Sequence, residues 1–108
     1  MPERTRGRLP LLAAVLVLAA TDAARAGDPV LYRCDDDSAL TVTFVAQPPS
    51  AIVADGGLIF LLTQQPAASG ARYVADNPDG RLEFWTKGDE ATFETPGGTR
   101  RNCRVVAR

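Results

Sequence analysis

From residue 30 onward, short apolar runs alternate with turn residues, and no helical period persists. Residues 40-LTVTF-44 alternate between apolar and polar positions, which is typical of a strand with one buried face. No segment is long enough for a helix connecting two parallel strands, so the pattern predicts an all-β fold. We expect a small antiparallel barrel or sandwich of about eight strands, at 30–34, 40–44, 51–54, 58–63, 71–75, 81–87, 90–95 and 100–106.

Two of these strands carry further expectations. The continuous apolar run 58–62 follows the hairpin residues 55-DGG-57 and predicts a strand buried on both sides. In strand 81–87, alternation puts Trp85 and Lys87 on one face and Leu82 with Phe84 on the other, without deciding which face is inward. If Leu82 and Phe84 face inward, Trp85 supports the stem of Lys87 from outside. Strands this short predict an interior filled by side chains, with no ligand cavity.

The first 26 residues have the pattern of an export signal. Arginines at positions 4, 6 and 8 precede an apolar run from Leu9 to Ala20, and 24-ARA-26 offers small residues for cleavage. The run has no polar face, as an amphipathic core helix would, and is short for a transmembrane helix. The sequence therefore predicts a signal peptide at 1–26 and one mature domain at 27–108.

Charge and cysteine content indicate which partners and which cellular compartment suit the mature domain. Residues 1–26 hold 4 of the 12 basic and 2 of the 13 acidic residues, which leaves 8 against 11 and a net charge of −3. This balance argues against nucleic-acid binding and suits a basic partner. With no histidine in the chain, Cys34 and Cys103 favour one disulfide of an oxidising compartment over a metal site. Gly27, rather than a cysteine, follows the predicted cleavage point, so we expect no membrane anchor after cleavage.

An enzyme is disfavoured by the residues present. No histidine is available for a nucleophile–base pair, and no glycine motif that binds phosphate occurs. Asp89 and Glu90 are adjacent in a turn and are expected to diverge. The acidic stretch 35-DDD-37 lacks the spacing of a calcium loop and is better interpreted as a solvated turn. We therefore expect no catalytic residues, no metal and no cofactor.

Two loops remain as candidates for binding. The first is 66-PAASGARY-73, with the hydroxyl of Ser69, and the second is Lys87-Gly88-Asp89 at a strand end. Alone, Ser69 is an ordinary turn residue and Lys87 a solvated charge. Together, 69-SGARY-73 and 84-FWTKGDEA-91, with an early Tyr-x-Cys and a late cysteine, resemble the MliC/PliC family of bacterial inhibitors of C-type lysozyme. The resemblance spans the whole predicted mature chain.

The resemblance implies a specific partner and site. It implies an eight-stranded barrel tied by a Cys34–Cys103 disulfide, located in the periplasm, that inserts its motif loops into the active-site cleft of C-type lysozyme. The motif serine and lysine, which contact the catalytic carboxylates, correspond to Ser69 and Lys87. Tyr73 corresponds to a tyrosine that shapes the inserted loop, and the motif glycines are Gly70 and Gly88. Many relatives carry a lipoprotein cysteine that this sequence lacks, so a soluble periplasmic protein is expected.

Three alternatives remain open. The same fold could bind another lysozyme type or a bacterial wall enzyme, and it could equally be a structural envelope protein whose loops bind nothing. A carrier of a small ligand is a more distant alternative because the barrel is expected to lack space.

Overall fold

The computed structural model describes residues 27–108, and the predicted signal peptide lies outside the described residues. Each strand pairs antiparallel with the next, and the last pairs back with the first, so the sheet closes into a barrel. Every predicted strand is present, with boundaries within two residues of the prediction. The strands are β1 (Val30–Cys34), β2 (Ala39–Val45), β3 (Ser50–Asp55), β4 (Leu58–Gln65), β5 (Ala71–Asn77), β6 (Gly80–Lys87), β7 (Glu90–Thr95) and β8 (Thr99–Ala107).

The barrel interior is filled by the inward side chains of all eight strands. Phe84 of β6 is fully buried, with its ring centroid 5.5 Å from that of Tyr32 and 6.1 Å from that of Phe93. These edge-to-face contacts are the arrangement that aromatic quadrupoles favour. The inward face of β6 is thus the one carrying Leu82 and Phe84, and Trp85 lies outside with Lys87. Because side chains fill the interior, a partner can bind only at the outer surface or at the loops.

The expectation that residues 58–62 are buried on both sides is wrong. Leu62 is fully buried, whereas Ile59 is 72% and Leu61 66% exposed. A single-layered barrel has only one inside, so alternate residues of every strand face outward. A continuous apolar run contains no period that would reveal this, and nothing among residues 27–108 covers its outward face.

A half-buried ion pair lies at the end of the barrel formed by the β1–β2 and β3–β4 turns. Arg101 faces inward from β8, and its guanidinium donates to Asp55 at 2.6 and 3.2 Å and to the Ser38 hydroxyl at 3.0 Å. The guanidinium carbon also lies 5.3 Å from the centroid of the Phe93 ring. The hydrogen bonds that Arg101 donates to Asp55 raise the pKa of the guanidinium, which keeps it charged. The candidate loops lie at the other end of the barrel.

The predicted disulfide is present between Cys34 and Cys103, with an S–S distance of 2.02 Å. The two cysteines are register partners on β1 and β8, the first and last strands of the chain. The covalent bond therefore reinforces the one strand pair that closes the barrel. No helix within residues 27–108 is long and apolar enough to cross a membrane.

Candidate functional site

The two candidate loops meet because β5 and β6 pair along their full length. The register runs from Asn77 opposite Gly80 to Ala71 opposite Thr86. The β4–β5 loop (66–70) ends where β5 begins, and the β6–β7 turn (88–89) starts where β6 ends. The hairpin geometry therefore brings residues 69 and 70 beside residues 85 to 87, although sixteen positions separate Ser69 from Trp85.

Trp85 fastens the first loop to the strand that carries the second. Its indole Nε1 donates a hydrogen bond to the carbonyl oxygen of Ser69 at 3.0 Å. The indole is 38% exposed and lies on the outer surface of the barrel, one outward position before Lys87. The sequence predicted that Trp85 supports the stem of Lys87 from outside if Leu82 and Phe84 face inward, and it did not predict the bond to Ser69. The one related feature of the sequence is that the only tryptophan of the chain lies on the same strand face as the only lysine.

Gly70 permits the close approach of the two loops. Its φ is +69°, in the left-handed region that glycine occupies without strain. A Cβ at this position would collide with the carbonyl oxygen of Thr86 and lie 3.2 Å from both the Cβ of Lys87 and the Nε1 of Trp85. Any larger residue would push the Ser69 loop away from Lys87. Gly70 is thus required by both backbone conformation and space.

Lys87 and Gly88 form the second part of the site. The turn places Gly88 at its first central position with φ +61°, as two-residue hairpins with glycine there require. A Cβ on Gly88 would meet no atom within 4 Å, so only the backbone conformation restricts this position. The Lys87 side chain is exposed, and its ammonium has no carboxylate within 4.0 Å among residues 27–108. The charge is therefore free to meet an external acid.

Tyr73 occupies a different environment from the other four candidate residues. Its side chain faces the interior of the barrel, where it is 7% exposed, and its ring centroid lies 5.6 Å from that of Phe44. Burial raises the pKa of the phenol, because the phenolate would lose its hydration. The structure thus brings Ser69, Gly70, Lys87 and Gly88 together at the surface and puts Tyr73 beneath them, as a core residue at the start of β5.

A surface groove adjoins the two loops on the outer face of β6, β7 and β8. Its volume is about 480 Å³, and its lining includes Ser69, Trp85 and Lys87 together with the charged side chains of Glu90 and Arg100. Ser69 contributes a hydroxyl that donates or accepts, and Lys87 contributes a positive charge with three donors. This pairing suits an anionic acceptor such as a carboxylate. Among residues 27–108, no three His, Cys, Asp or Glu side chains are grouped as a metal site would need.

Three comparisons relate the chain to known proteins. A family described as membrane-bound lysozyme-inhibitor of c-type lysozyme (MliC) matches residues 32–102, which include both candidate loops. A protein of Cupriavidus necator named membrane-bound lysozyme inhibitor of C-type lysozyme is 38% identical over 66 residues, covering 59% of this chain and 50% of that protein. The matched segment thus spans about half the length of this relative.

A solved structure agrees in fold. The crystal structure of Pseudomonas aeruginosa MliC in complex with hen egg white lysozyme is similar with a TM-score of 0.59 and 25% sequence identity. The similarity covers 78% of this chain and 87% of the chain in the crystal.

Proposed function

We propose that this chain, which belongs to the MliC family of lysozyme inhibitors, inhibits C-type lysozyme by inserting the Ser69 loop and the Lys87 turn into the active-site cleft. One observation carries the proposal. The two motif segments form a single unit, held by the bond from Trp85 to Ser69 and by the contact at Gly70, and this unit presents a hydroxyl beside an ammonium without an internal partner. Residues chosen only for folding would not need that combination.

The chemistry of the target explains why an ammonium would inhibit it. C-type lysozyme cleaves a glycosidic bond with two carboxyl groups, and one of them must remain protonated to act as the general acid. A positive charge placed beside that acid favours its ionised form and lowers its pKa. The proton needed for the leaving group is then absent at neutral pH.

The other residues of the site have supporting roles in this proposal. The Ser69 hydroxyl donates to a carboxylate oxygen, and the backbone of the loop fills the space that the sugar would occupy. Lysine suits this position because its compact charge on a flexible stem reaches into a narrow cleft, whereas arginine would require a forked acceptor. Tyr73 supports the loop from the core. The net charge of −3 over residues 27–108 favours encounter with a basic enzyme.

The protein proposed here acts as a stoichiometric inhibitor and not as an enzyme. The test is the lysis of peptidoglycan-bearing cells by C-type lysozyme with purified residues 27–108 added. We expect the lysis rate to fall as the inhibitor approaches the enzyme concentration. An unchanged rate at a large excess would contradict the proposal, and inhibition only of another lysozyme type in a parallel assay would favour the alternative of a same-fold module with a different target.

We also propose that residues 1–26 direct export, so that the inhibitor works as a soluble protein of the periplasm. The support is the charged, apolar and small-residue pattern of this segment and Gly27 at the predicted mature start. Mass spectrometry of the protein from the envelope of expressing cells should find Gly27 as the first residue and the mass of the oxidised disulfide. An intact N-terminus, or a lipid on a cysteine, would contradict it.

A further inference from the structure

Lys87 directly faces an acid that does not bind it. In the β6–β7 hairpin, Lys87 and Glu90 are register partners on either side of the turn, and alternation points both side chains outward. Opposite charges in this relation ordinarily attract each other as a cross-strand pair. Glu90, however, is also the register partner of Arg104 on β8. Its carboxylate accepts a hydrogen bond from Arg104 Nη2 at 2.8 Å instead.

The second acid beside Lys87 is occupied in the same way. The carboxylate of Asp89, within the turn, accepts a hydrogen bond from Arg108 Nη2 at 2.7 Å. The backbone of the turn is tied to the same strand, because the N–H of Val105 donates to the carbonyl oxygen of Asp89 at 2.8 Å. Both neighbouring carboxylates are therefore paired with arginines of the C-terminal segment, and neither forms an ion pair with the lysine.

We propose that Arg104 and Arg108 are positioning residues that keep the Lys87 ammonium free by occupying Glu90 and Asp89. The inference rests on the proposed function, since it explains how the lysine stays available for a carboxylate of lysozyme. An ammonium already paired within its own hairpin would have to lose that partner before it entered the cleft. An unpaired glutamate beside it would also carry negative charge towards the acidic groups of the enzyme.

The Arg104–Glu90 and Arg108–Asp89 pairs are exposed. We therefore expect them to determine which cation each carboxylate binds, with little effect on the stability of the fold. Ion pairs at this exposure contribute little to the free energy of unfolding. Removing the Arg104 side chain, in contrast, leaves Lys87 as the cation directly opposite Glu90 in register. A new Lys87–Glu90 pair then competes with binding to lysozyme.

The experiment compares Arg104→Ala with the double variant Arg104→Ala/Glu90→Gln. We expect Arg104→Ala to weaken inhibition of C-type lysozyme about fivefold at low salt, an effect of the size that exposed ion pairs produce. The double variant should regain wild-type inhibition, because a neutral glutamine does not hold the lysine. The loss should shrink as the salt concentration rises. Arg81→Ala is the matched control, since Arg81 forms an equally exposed pair with Asp76 at the other end of the barrel and should inhibit as wild type.

A second readout needs no lysozyme. Lys87 is the only lysine of the chain, so acylation of its amine by an N-hydroxysuccinimide ester can be followed on one peptide by mass spectrometry. We expect acylation to slow in Arg104→Ala and to recover in the double variant. Thermal unfolding of each variant should match that of the wild type.

The outcomes separate this inference from the proposed function. If Arg104→Ala inhibits and reacts like the wild type, Arg104 does not position the lysine and the inference is wrong. If the double variant stays as weak as Arg104→Ala, the arginine acts by contacting lysozyme itself, which also overturns the inference. If the wild type fails to inhibit, the proposed function is wrong, while the acylation rates still decide whether Arg104 keeps Lys87 free.

Discussion

The outer surface of the barrel has two halves of different chemistry. On β2, β3 and β4, the outward positions carry no charge, and the two most exposed apolar side chains, Ile59 and Leu61, lie there. On β5 to β8, charged residues occupy most outward positions, namely Arg72, Asp76, Arg81, Glu83, Lys87, Glu90, Glu94, Arg100 and Arg104. Both candidate loops adjoin strands of the charged half.

The charged half shows why Lys87 differs from its neighbours. The outward arginines of β5 to β8 each have a carboxylate partner on an adjacent strand, at distances from 2.8 to 3.8 Å. Among the outward cations that the structure describes on these strands, Lys87 is the one without such a partner. The same surface that neutralises four arginines leaves one ammonium unpaired, at the end of the barrel where the Ser69 loop lies.

Adjacent leucines of β4 give the largest expected contrast in stability. Leu62 is fully buried and Leu61 is 66% exposed. Leu62→Ala should lower the free energy of unfolding by about 3 kcal/mol, because it leaves a cavity in the core. Leu61→Ala should change it by less than about 0.5 kcal/mol. Urea denaturation of both variants checks this, and equal losses would show that the outward face of β4 is covered.

The next contrast compares the effect on lysozyme inhibition of substitutions in the two halves of the outer surface. Lys87→Ala should weaken inhibition of C-type lysozyme about 50-fold, because it removes the charge that meets a desolvated carboxylate. Ser69→Ala should weaken inhibition about fivefold, the size of one lost hydrogen bond. Ile59→Ala, on the uncharged half, is the control and should inhibit as wild type. If Ile59→Ala weakened inhibition while Lys87→Ala and Ser69→Ala did not, the binding surface would lie on β2 to β4.

Two glycines of the site separate space from backbone conformation. Gly70→Ala should cost about 2 kcal/mol of stability and also weaken inhibition, because the methyl group collides with the Thr86 carbonyl and displaces the Ser69 loop. Gly88 also has a positive φ, but a Cβ there would meet no other atom. Gly88→Ala should therefore lower the free energy of unfolding by only about 1 kcal/mol. Thermal unfolding and inhibition assays measure both. Equal effects would indicate that the contact at Gly70 does not set the loop position.

The smallest effect is the dependence of stability on pH at Tyr73. Its folded pKa is raised by burial, so the unfolded chain loses this proton at a lower pH than the folded protein. The stabilising contribution is complete below the unfolded pKa of about 10 and is lost as the pH rises through the folded pKa. Tyr73→Phe should therefore lose less stability than the wild type between pH 9 and 11 in urea denaturation. Parallel losses would show that another group causes the decline.

The sequence predicted the strands and the site residues for different reasons. Strand positions followed from two-residue alternation between turn residues, and they agree with the structure. Ser69 and Lys87 were identified through a two-part motif whose halves the β5–β6 pairing brings together. The strand alternation and each half of the motif lie within short segments of the chain. Both could therefore be recognised without knowing the fold.

What the sequence could not predict depends on contacts between distant segments. The run 58–62 has no period that reveals an exposed face. The bond from Trp85 to Ser69 requires the three-dimensional path of the β4–β5 loop. The preference of Glu90 for Arg104 over Lys87 requires the register of β8 against β7.

The central claim is that the two loops occupy the active-site cleft of C-type lysozyme, and competition with a bound sugar tests it most directly. Binding of residues 27–108 to lysozyme would be titrated at increasing concentrations of a chitooligosaccharide that fills the cleft. We expect the apparent Kd to rise linearly with the sugar concentration and without a plateau, as for two ligands that exclude each other. An apparent Kd that does not change with saturating sugar would contradict the claim.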